Sequence, residues 1–357
     1  MAGTDTAEQE REQLNTGTKA VAETHRFDET ALTRWMEANV AGYAGPLEVR
    51  QFKGGQSNPT YQLITPGQKY VLRRKPPGKL LPSAHAVDRE YRVITALGTT
   101  GFPVAKTYGL CTDDSVIGTW FYVMDMVEGR ILWDQQLPQY APAERHAIFM
   151  GKIKTLADLH STDHEAIGLG DFGKPGNYMG RQVDRWTKQY KASETAHLEE
   201  MERLIAWLPQ TVPAQERTSV VHGDYRLDNM IFHPSEPRVI AVLDWELSTL
   251  GEPLADFTYT LMNWVNSSIA EIPDLKAHGI PTIEEVVAEY CRLTGRTGLP
   301  DLNWFFAYNL FRLAGICQGI VGRVRDGTAN SPQATAMEAR VPLLAEASWK
   351  YAVKAGA

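Results

Sequence analysis

The chain has 357 residues, 43% of them hydrophobic and 22% charged, and it carries a formal net charge of −7. This length suggests two domains or lobes, and the composition is that of a globular protein that buries a large core. The acidic balance argues against nucleic acid and against an anionic membrane surface as the main partner, because both attract basic faces.

The first part of the chain predicts a tail, a helix and a set of strands. Residues 1–24 are polar and lack the apolar run of a secretory signal, so we expect a flexible tail there. Asp28 is placed to cap the helix that follows it. Apolar and polar residues then alternate in 47–52, 60–64 and 69–73, with Gly-rich or Pro-Gly turns between the runs. This period predicts three antiparallel strands.

A helix and two more strands complete the predicted sheet region. Residues 84–101 predict the helix, and 104–113 and 118–129 predict the strands. We therefore expect an N-terminal lobe over 25–128 and a C-terminal lobe over 129–357, where the character of the sequence changes. The predicted fold class is α+β, with an antiparallel sheet in the first lobe and a larger, mainly helical second lobe.

The second lobe contains amphipathic helical stretches and two short strand-like runs, at 219–234 and 238–246. Its most apolar stretch, 304–321, is interrupted by Asn309 and Arg312, so it predicts a buried helix rather than a membrane span. The three cysteines lie far apart and form no CxxC pair. This argues against a cysteine-based metal site or disulfide framework and fits the reducing environment of the cytoplasm.

Polar residues around 222–229 carry the strongest indication of chemistry. Asp224 is followed five positions later by Asn229, and Asp244 lies near the end of the next strand-like run. Phosphoryl transfer needs a group that orients or deprotonates the acceptor hydroxyl, and oxygen ligands that hold Mg²⁺ against the phosphates. This set predicts Asp224 as the catalytic base and Asn229 and Asp244 as metal ligands. The alternative is a turn rich in Asp and Asn between two strands.

The order HGDxxxxN followed by a downstream Asp resembles the aminoglycoside phosphotransferase and choline kinase family, which is itself similar to protein kinases. The resemblance covers most of the chain after the tail and is weakest in the last third. It implies a bilobal, protein-kinase-like fold, ATP as phosphate donor and Mg²⁺ as cofactor. It gives Asp224, Asn229 and Asp244 the same roles as above and makes His222 and Gly223 part of the scaffold of the loop.

Three segments of the N-terminal lobe are candidates for holding the nucleotide. A turn between the first two strands can cover phosphates with backbone N–H groups. It consists of Gly54, Gly55, Gln56, Ser57 and Asn58. The family resemblance implies a basic residue on a strand that pairs with a Glu on the following helix. The matching positions are Arg73 and Glu90, although the family usually has Lys in place of Arg73.

The resemblance also implies a hinge that binds adenine through backbone groups and apolar side chains. The hinge residues would be Met124, Asp125, Met126 and Val127. Each segment has a structural alternative: an ordinary hairpin turn, exposed charges on a strand and a helix, and a plain buried strand.

Several segments indicate the chemical class of the acceptor. The run ELSTLGEPLADFTYTLMNWVN, together with GGQSNPTY and WFFAYNLFRLAGICQGI, resembles the kinase-like domains fused to some acyl-CoA dehydrogenases. That branch implies a hydroxylated acyl acceptor, such as a hydroxyacyl-CoA or a hydroxy acid. Arg312 and Arg323 are eleven positions apart, which places them on nearly one helix face. Together with the aromatic Trp264, these arginines suit an acceptor that is apolar with an anionic end. The alternative is a set of core aromatics with locally paired arginines.

The sequence therefore predicts a cytoplasmic, ATP-dependent kinase acting on an alcohol group. Its partners would be a nucleotide and a small-molecule acceptor, with no nucleic acid and no integral membrane segment. Two other classes remain open: a pseudokinase-like protein that binds nucleotide or acyl ligand without turnover, and a metal-dependent hydrolase that uses residues 222–224. An aminoglycoside, choline or sugar kinase is the alternative within the same class.

Overall fold

The computed structural model of the protein describes residues 16–54, 58–78, 85–327 and 334–357. The chain divides into two compact units, and it passes between them several times. The first unit comprises Met1–Thr155, Glu165–Leu169 and Arg226–Ser248. The second unit comprises Leu156–His164, Gly170–Tyr225 and Thr249–Ala357.

Ten strands are present among the described residues. In chain order they are β1 Thr18–Lys19, β2 Glu48–Phe52, β3 Thr60–Ile64, β4 Lys69–Arg74, β5 Thr107–Cys111, β6 Phe121–Asp125, β7 Ser219–Val221, β8 Met230–Phe232, β9 Val239–Val242 and β10 Thr249–Gly251. The first six form one antiparallel sheet in the order β1-β2-β3-β4-β6-β5. The three strands predicted by alternation are therefore confirmed as β2, β3 and β4.

The α-helices within the described ranges lie between the strands of the first unit and make up most of the second unit. They are α1 Glu29–Asn39, α2 Val87–Gly98, α3 Asp114–Ile117, α4 Pro142–Ser161, α5 Tyr178–Ser193, α6 Glu199–Trp207, α7 Pro253–Thr260, α8 Met262–Val265, α9 Ile283–Thr294, α10 Asn303–Arg325 and α11 Ala334–Lys354. Asp28 caps α1, as predicted, because its carboxylate accepts the backbone N–H groups of Thr30 and Ala31 at 2.9 Å.

The core of the first unit lies between one face of the sheet and α1. Tyr61 and Leu63 of β3 are fully buried, and the residues that alternate with them are only partly buried, which is the expected period of two. Leu32 and Met36, four positions apart on α1, pack into the same cluster. These contacts hold β3 and β4 rigidly, and β4 carries Arg73.

Two strand predictions were too long. The run 219–234 contains β7 and β8 with a loop between them, because Gly223 has a φ of +86°, which ends the extended chain. In 238–246 the strand β9 ends at Val242, two residues before Asp244. Alternation of apolar residues does not reveal where such a turn interrupts a strand.

Helix α10 confirms the predicted buried helix at 304–321. Every residue from Trp304 to Phe311 is buried, as expected for a helix that is apolar on all sides. The buried amide of Asn309 donates to Thr258 Oγ1 at 3.0 Å. Across the described part of the chain, no helix is both long enough and apolar enough to cross a membrane.

Candidate active site

Arg73 on β4 is the centre of a buried ion cluster in the first unit. Its Nε lies 2.7 Å from Glu90 Oε2, and its Nη2 lies 2.7 Å from Asp244 Oδ1. The same Nη2 lies 3.5 Å from Glu246 Oε2. The side chains of Arg73 and Glu90 are only 12% and 2% exposed. The planar guanidinium therefore joins the sheet to α2 and to the turn after β9, which a single ammonium group would do less well.

Glu90 is held by further side chains. Asn58 Nδ2 donates to its Oε1 at 2.8 Å, and the Tyr122 hydroxyl donates to its Oε2 at 3.0 Å. The Oδ1 of Asn58 in turn lies 2.9 Å from Nδ1 of His85. Asn58, which the sequence predicted as a phosphate contact, is thus fully buried and orients Glu90.

The charges of this cluster depend on one another. Burial raises the pKa of Glu90 to about 7, against the opposing effect of the Arg73 guanidinium. Burial also acts to lower the pKa of Arg73, but the negative charges of Glu90, Asp244 and Glu246 more than offset it and leave that pKa raised. Arg73 is therefore a permanent cation that faces three carboxyl groups.

Asn229 and Asp244 are brought together by the hairpin of β8 and β9. The N–H of Leu243 donates to the carbonyl of Asn229 at 2.8 Å. Asp244 has a φ of +63°, a left-handed conformation that costs a non-glycine residue about 1–3 kcal/mol. The next residue, Trp245, is buried and donates its indole N–H to the Val242 carbonyl at 2.9 Å, which anchors the turn.

An amide and a carboxylate on neighbouring backbone segments are hard oxygen donors, the type of ligand that Mg²⁺ prefers. The donor set of Asn229 and Asp244 therefore fits a magnesium ion.

The predicted hinge continues the sheet. The N–H of Asp125 donates to the Lys106 carbonyl at 2.8 Å, and the N–H of Met126 donates to the Lys69 carbonyl at 3.3 Å. The Asp125 carboxylate accepts the Tyr108 hydroxyl at 2.5 Å. These two N–H groups are thus used in strand pairing, which leaves other backbone groups of the segment to contact a base.

The remaining described candidates for nucleotide binding lie on or just after β2 and β6. Met124 pairs with Val71 in the sheet, and Val127 is partly buried just after β6. Gly54 follows β2. Gly55, Gln56 and Ser57 lie outside the described residues.

Asp224 lies in the second unit, in the loop after β7. The buried carboxylate of Asp256, on α7, accepts the backbone N–H groups of His222 and Gly223, the second at 2.9 Å. Burial favours the neutral form of Asp256, but contacts with His160 and His222 prevail and lower its pKa. An ionised carboxylate therefore fixes the backbone immediately before Asp224.

Two further residues contact this loop. The Tyr259 hydroxyl donates to Asp224 Oδ1 at 2.7 Å, and Arg312 Nη2 donates to the Gly223 carbonyl at 2.6 Å. Sequence reasoning missed Tyr259 and Asp256. The available signal was their spacing of three within ADFTYT, which places both on one side of α7.

The three predicted acceptor residues are not brought together. Arg312 contacts the loop of Asp224, but Trp264 is buried and donates its indole N–H to the Pro281 carbonyl at 2.7 Å. Arg323 is exposed and lies eleven residues beyond Arg312, about 17 Å along the axis of α10.

The sequence pattern of the phosphotransferase enzyme family matches residues 48–290. The chain belongs to this family. It is 53% identical to a Ralstonia eutropha JMP134 protein provisionally named an aminoglycoside phosphotransferase, with a TM-score of 0.84 over 92% of this chain and 99% of that one. The predicted kinase-like α+β fold and the predicted family are therefore confirmed.

Two other relatives add to the comparison. Mouse acyl-CoA dehydrogenase family member 10 is 43% identical over 346 residues, which cover 95% of this chain. The chain spans only 32% of the length of that relative, about a third. An amicoumacin kinase crystallised with AMP-PNP, Ca²⁺ and Ami is 14% identical, with a TM-score of 0.54 over 91% of this chain and 94% of that one. At that identity it shows a shared fold alone.

Proposed function

We propose that this chain is a kinase that transfers the γ-phosphate of ATP to a hydroxyl group of a small acceptor. The observation that carries the proposal is the bridging of Glu90 and Asp244 by Arg73, at 2.7 Å on each side. Such a cluster keeps a cation next to the donor set of Asn229 and Asp244. That combination suits a metal-bound triphosphate.

In the first unit, Arg73 would contact phosphate oxygens, and Glu90 would keep its guanidinium in place. Residues 54–57 would cover the phosphates, and residues 124–127 would contact the base. Asn229 and Asp244 would hold Mg²⁺, which when bound neutralises charge on the phosphates. The complex of the amicoumacin kinase with AMP-PNP and Ca²⁺ supports a nucleotide and a divalent cation for this fold in general.

In the second unit, Asp224 would accept the proton of the acceptor hydroxyl. Two features support this role. The residue is partly exposed, which leaves room for an acceptor to approach it. The preceding backbone is fixed by Asp256, and general bases contribute most when they are held in one orientation.

We infer that the acceptor is a hydroxyacyl-CoA or a hydroxy acid. Identity of 43% to part of an acyl-CoA dehydrogenase family protein supports an acyl substrate, because a fused kinase domain would act on the same class of compound. The cationic Arg312 beside the loop of Asp224 also disfavours polycationic aminoglycosides. A protein that binds nucleotide or acyl ligand without turnover is the second candidate, because Arg73 Nη2 already occupies Oδ1 of the proposed metal ligand Asp244 at 2.7 Å.

An ADP-release assay tests the proposal. MgATP is combined with hydroxyacyl-CoAs, free hydroxy acids, choline, sugars or aminoglycosides, and GTP replaces ATP in a parallel series. We expect release of ADP with hydroxyacyl compounds, and release slower by orders of magnitude with the Asp224→Asn variant. Binding of ATP without ADP release in any series would favour the second candidate, and turnover of aminoglycosides alone would refute the acyl acceptor.

A further inference from the structure

Tyr259 makes a direct contact with the proposed base. Its hydroxyl donates to Asp224 Oδ1 at 2.7 Å, a short hydrogen bond to a carboxylate. The two residues are 35 positions apart, and Tyr259 projects from α7, the helix that also carries Asp256. One rigid helix therefore holds both the backbone before Asp224 and its side chain.

Arg312 of α10 completes this arrangement. Its guanidinium carbon lies 5.0 Å from the ring centroid of Tyr259 and 5.6 Å from that of Trp186, so the cation contacts two aromatic rings. The same guanidinium donates to the Gly223 carbonyl at 2.6 Å. The position of the Tyr259 ring is thus coupled to the position of the loop.

We propose that Tyr259 and Arg312 are positioning residues for Asp224, an inference that rests on the proposed function. Tyr259 orients the carboxylate and stabilises its ionised form, and Arg312 keeps the Tyr259 ring and the loop in register. A carboxylate at the end of a flexible side chain otherwise samples several rotamers, of which only some suit proton transfer.

This arrangement would serve transfer of the γ-phosphate from ATP to the acceptor hydroxyl. The acceptor oxygen forms a bond to the γ-phosphorus, and the bond between that phosphorus and the β–γ bridging oxygen breaks. The electron pair of the broken bond leaves with ADP. The proton of the acceptor hydroxyl passes to the Asp224 carboxylate, which later releases it to water.

A direct measurement tests the positioning role without any acceptor. In the full chain labelled with ¹³C-carboxyl aspartate, the Asp224 signal is assigned by its loss in Asp224→Asn and titrated with pH. Among the described groups that face Asp224 are Tyr259, Arg312 and the ring of His222, which accepts the Asp224 backbone N–H at 3.2 Å. Since hydrogen bonding favours the ionised form, Tyr259→Phe should move the titration midpoint up by roughly one pH unit or more.

Tyr61→Phe is the matched control, because it removes one buried hydroxyl, which donates to the His25 carbonyl at 3.0 Å in the first unit. This control should leave the Asp224 midpoint unchanged. A shift below about 0.3 pH units in Tyr259→Phe, or an equal shift in both variants, would overturn the inference.

Activity provides the second readout, with MgATP and 3-hydroxybutyryl-CoA as probes. Tyr259→Phe should lower kcat by roughly 10–100-fold with little change in the KM for ATP. The acid limb of its pH profile of kcat should move to higher pH. Arg312→Lys keeps the charge but loses the fork and the ring contacts. If the two residues act together, the fold-loss of kcat in Tyr259→Phe/Arg312→Lys should be at least about threefold smaller than the product of the two single fold-losses. A double loss equal to that product would contradict the coupling.

The two readouts separate the two proposals. If the parent protein does not phosphorylate the acyl probe but the Asp224 midpoint moves in Tyr259→Phe, the acyl acceptor is wrong and the positioning role stands. If the probe is phosphorylated and neither the midpoint nor kcat responds, Tyr259 is merely part of the packing.

Discussion

Replacing Arg73 with alanine should expose how strongly the ion cluster depends on its central cation. The substitution leaves Glu90, whose side chain is 2% exposed, without the guanidinium that lies 2.7 Å away. Removal of one partner from a buried ion pair costs about 3–5 kcal/mol, because the remaining charge stays buried. Protonation of Glu90 limits this cost, since its pKa is already raised to about 7. We therefore expect a loss of about 3 kcal/mol in the free energy of unfolding at pH 8.

The loss should depend on pH with a defined sign. Because the pKa of Glu90 in the folded protein, about 7, lies above its ordinary value of 4.5, the folded state holds this proton more tightly than the unfolded state. The contribution of Glu90 to stability is therefore full below 4.5 and is lost as pH rises toward 7. Without Arg73 the folded pKa rises further, so the deficit of the variant is largest at pH 8 and shrinks toward pH 5.

Urea unfolding followed by tryptophan fluorescence at pH 5, 6.5 and 8 measures this deficit. The double variant Arg73→Ala/Glu90→Gln removes the charge that is left behind and should recover at least half of the loss. Lys188→Ala is the control, because it breaks an exposed pair with Asp184 at 2.8 Å and should change stability by less than about 0.5 kcal/mol. A deficit of equal size at pH 5 and pH 8, or a double variant no more stable than Arg73→Ala, would refute the reasoning.

Three further predictions concern the proposed roles. Asp224→Asn should keep the Kd for ATP within about threefold while turnover falls by roughly 10²–10⁴, measured by calorimetry and ADP release; unchanged turnover would remove Asp224 as the base. Asp244→Ala should abolish the dependence of nucleotide binding on Mg²⁺, and binding that still responds to Mg²⁺ would contradict its role as a ligand. Asp256→Ala removes charge-assisted hydrogen bonds from the N–H groups of His222 and Gly223 and should lower the free energy of unfolding by about 3 kcal/mol, as followed by urea unfolding.

Much of the fold could be predicted because its signals are local. The alternation in β2, β3 and β4 and the cap of α1 depend on residues close together in the chain, and each is present in the structure. The errors arose where a backbone turn interrupts an apolar run, as at Gly223. The helix α3 after β5 was also missed, because four residues are too few to show a helical period.

The candidate site was predicted less completely, because its contacts join distant parts of the chain. Residues 73 and 244 are 171 positions apart, and only the packed unit brings the Arg73 guanidinium to the Asp244 carboxylate. Asn58 appeared to be a loop residue for phosphate, but burial directs its amide toward Glu90. Trp264 appeared to be a ligand contact, but its indole lies in the core.

The amino-acid order by itself therefore determined most of the strands and helices, the spacing of Asp224, Asn229 and Asp244, and membership of the phosphotransferase family. Tertiary structure alone decided which side chains orient these groups, notably Tyr259 on Asp224 and Arg73 on Asp244. The physical reason is that periodicity specifies which face of an element is buried, whereas the partner across that face depends on how the elements pack. Charge interactions and hydrogen bonds between side chains act over a few ångströms. Residues this close in space can be far apart in sequence, so sequence separation does not reveal them.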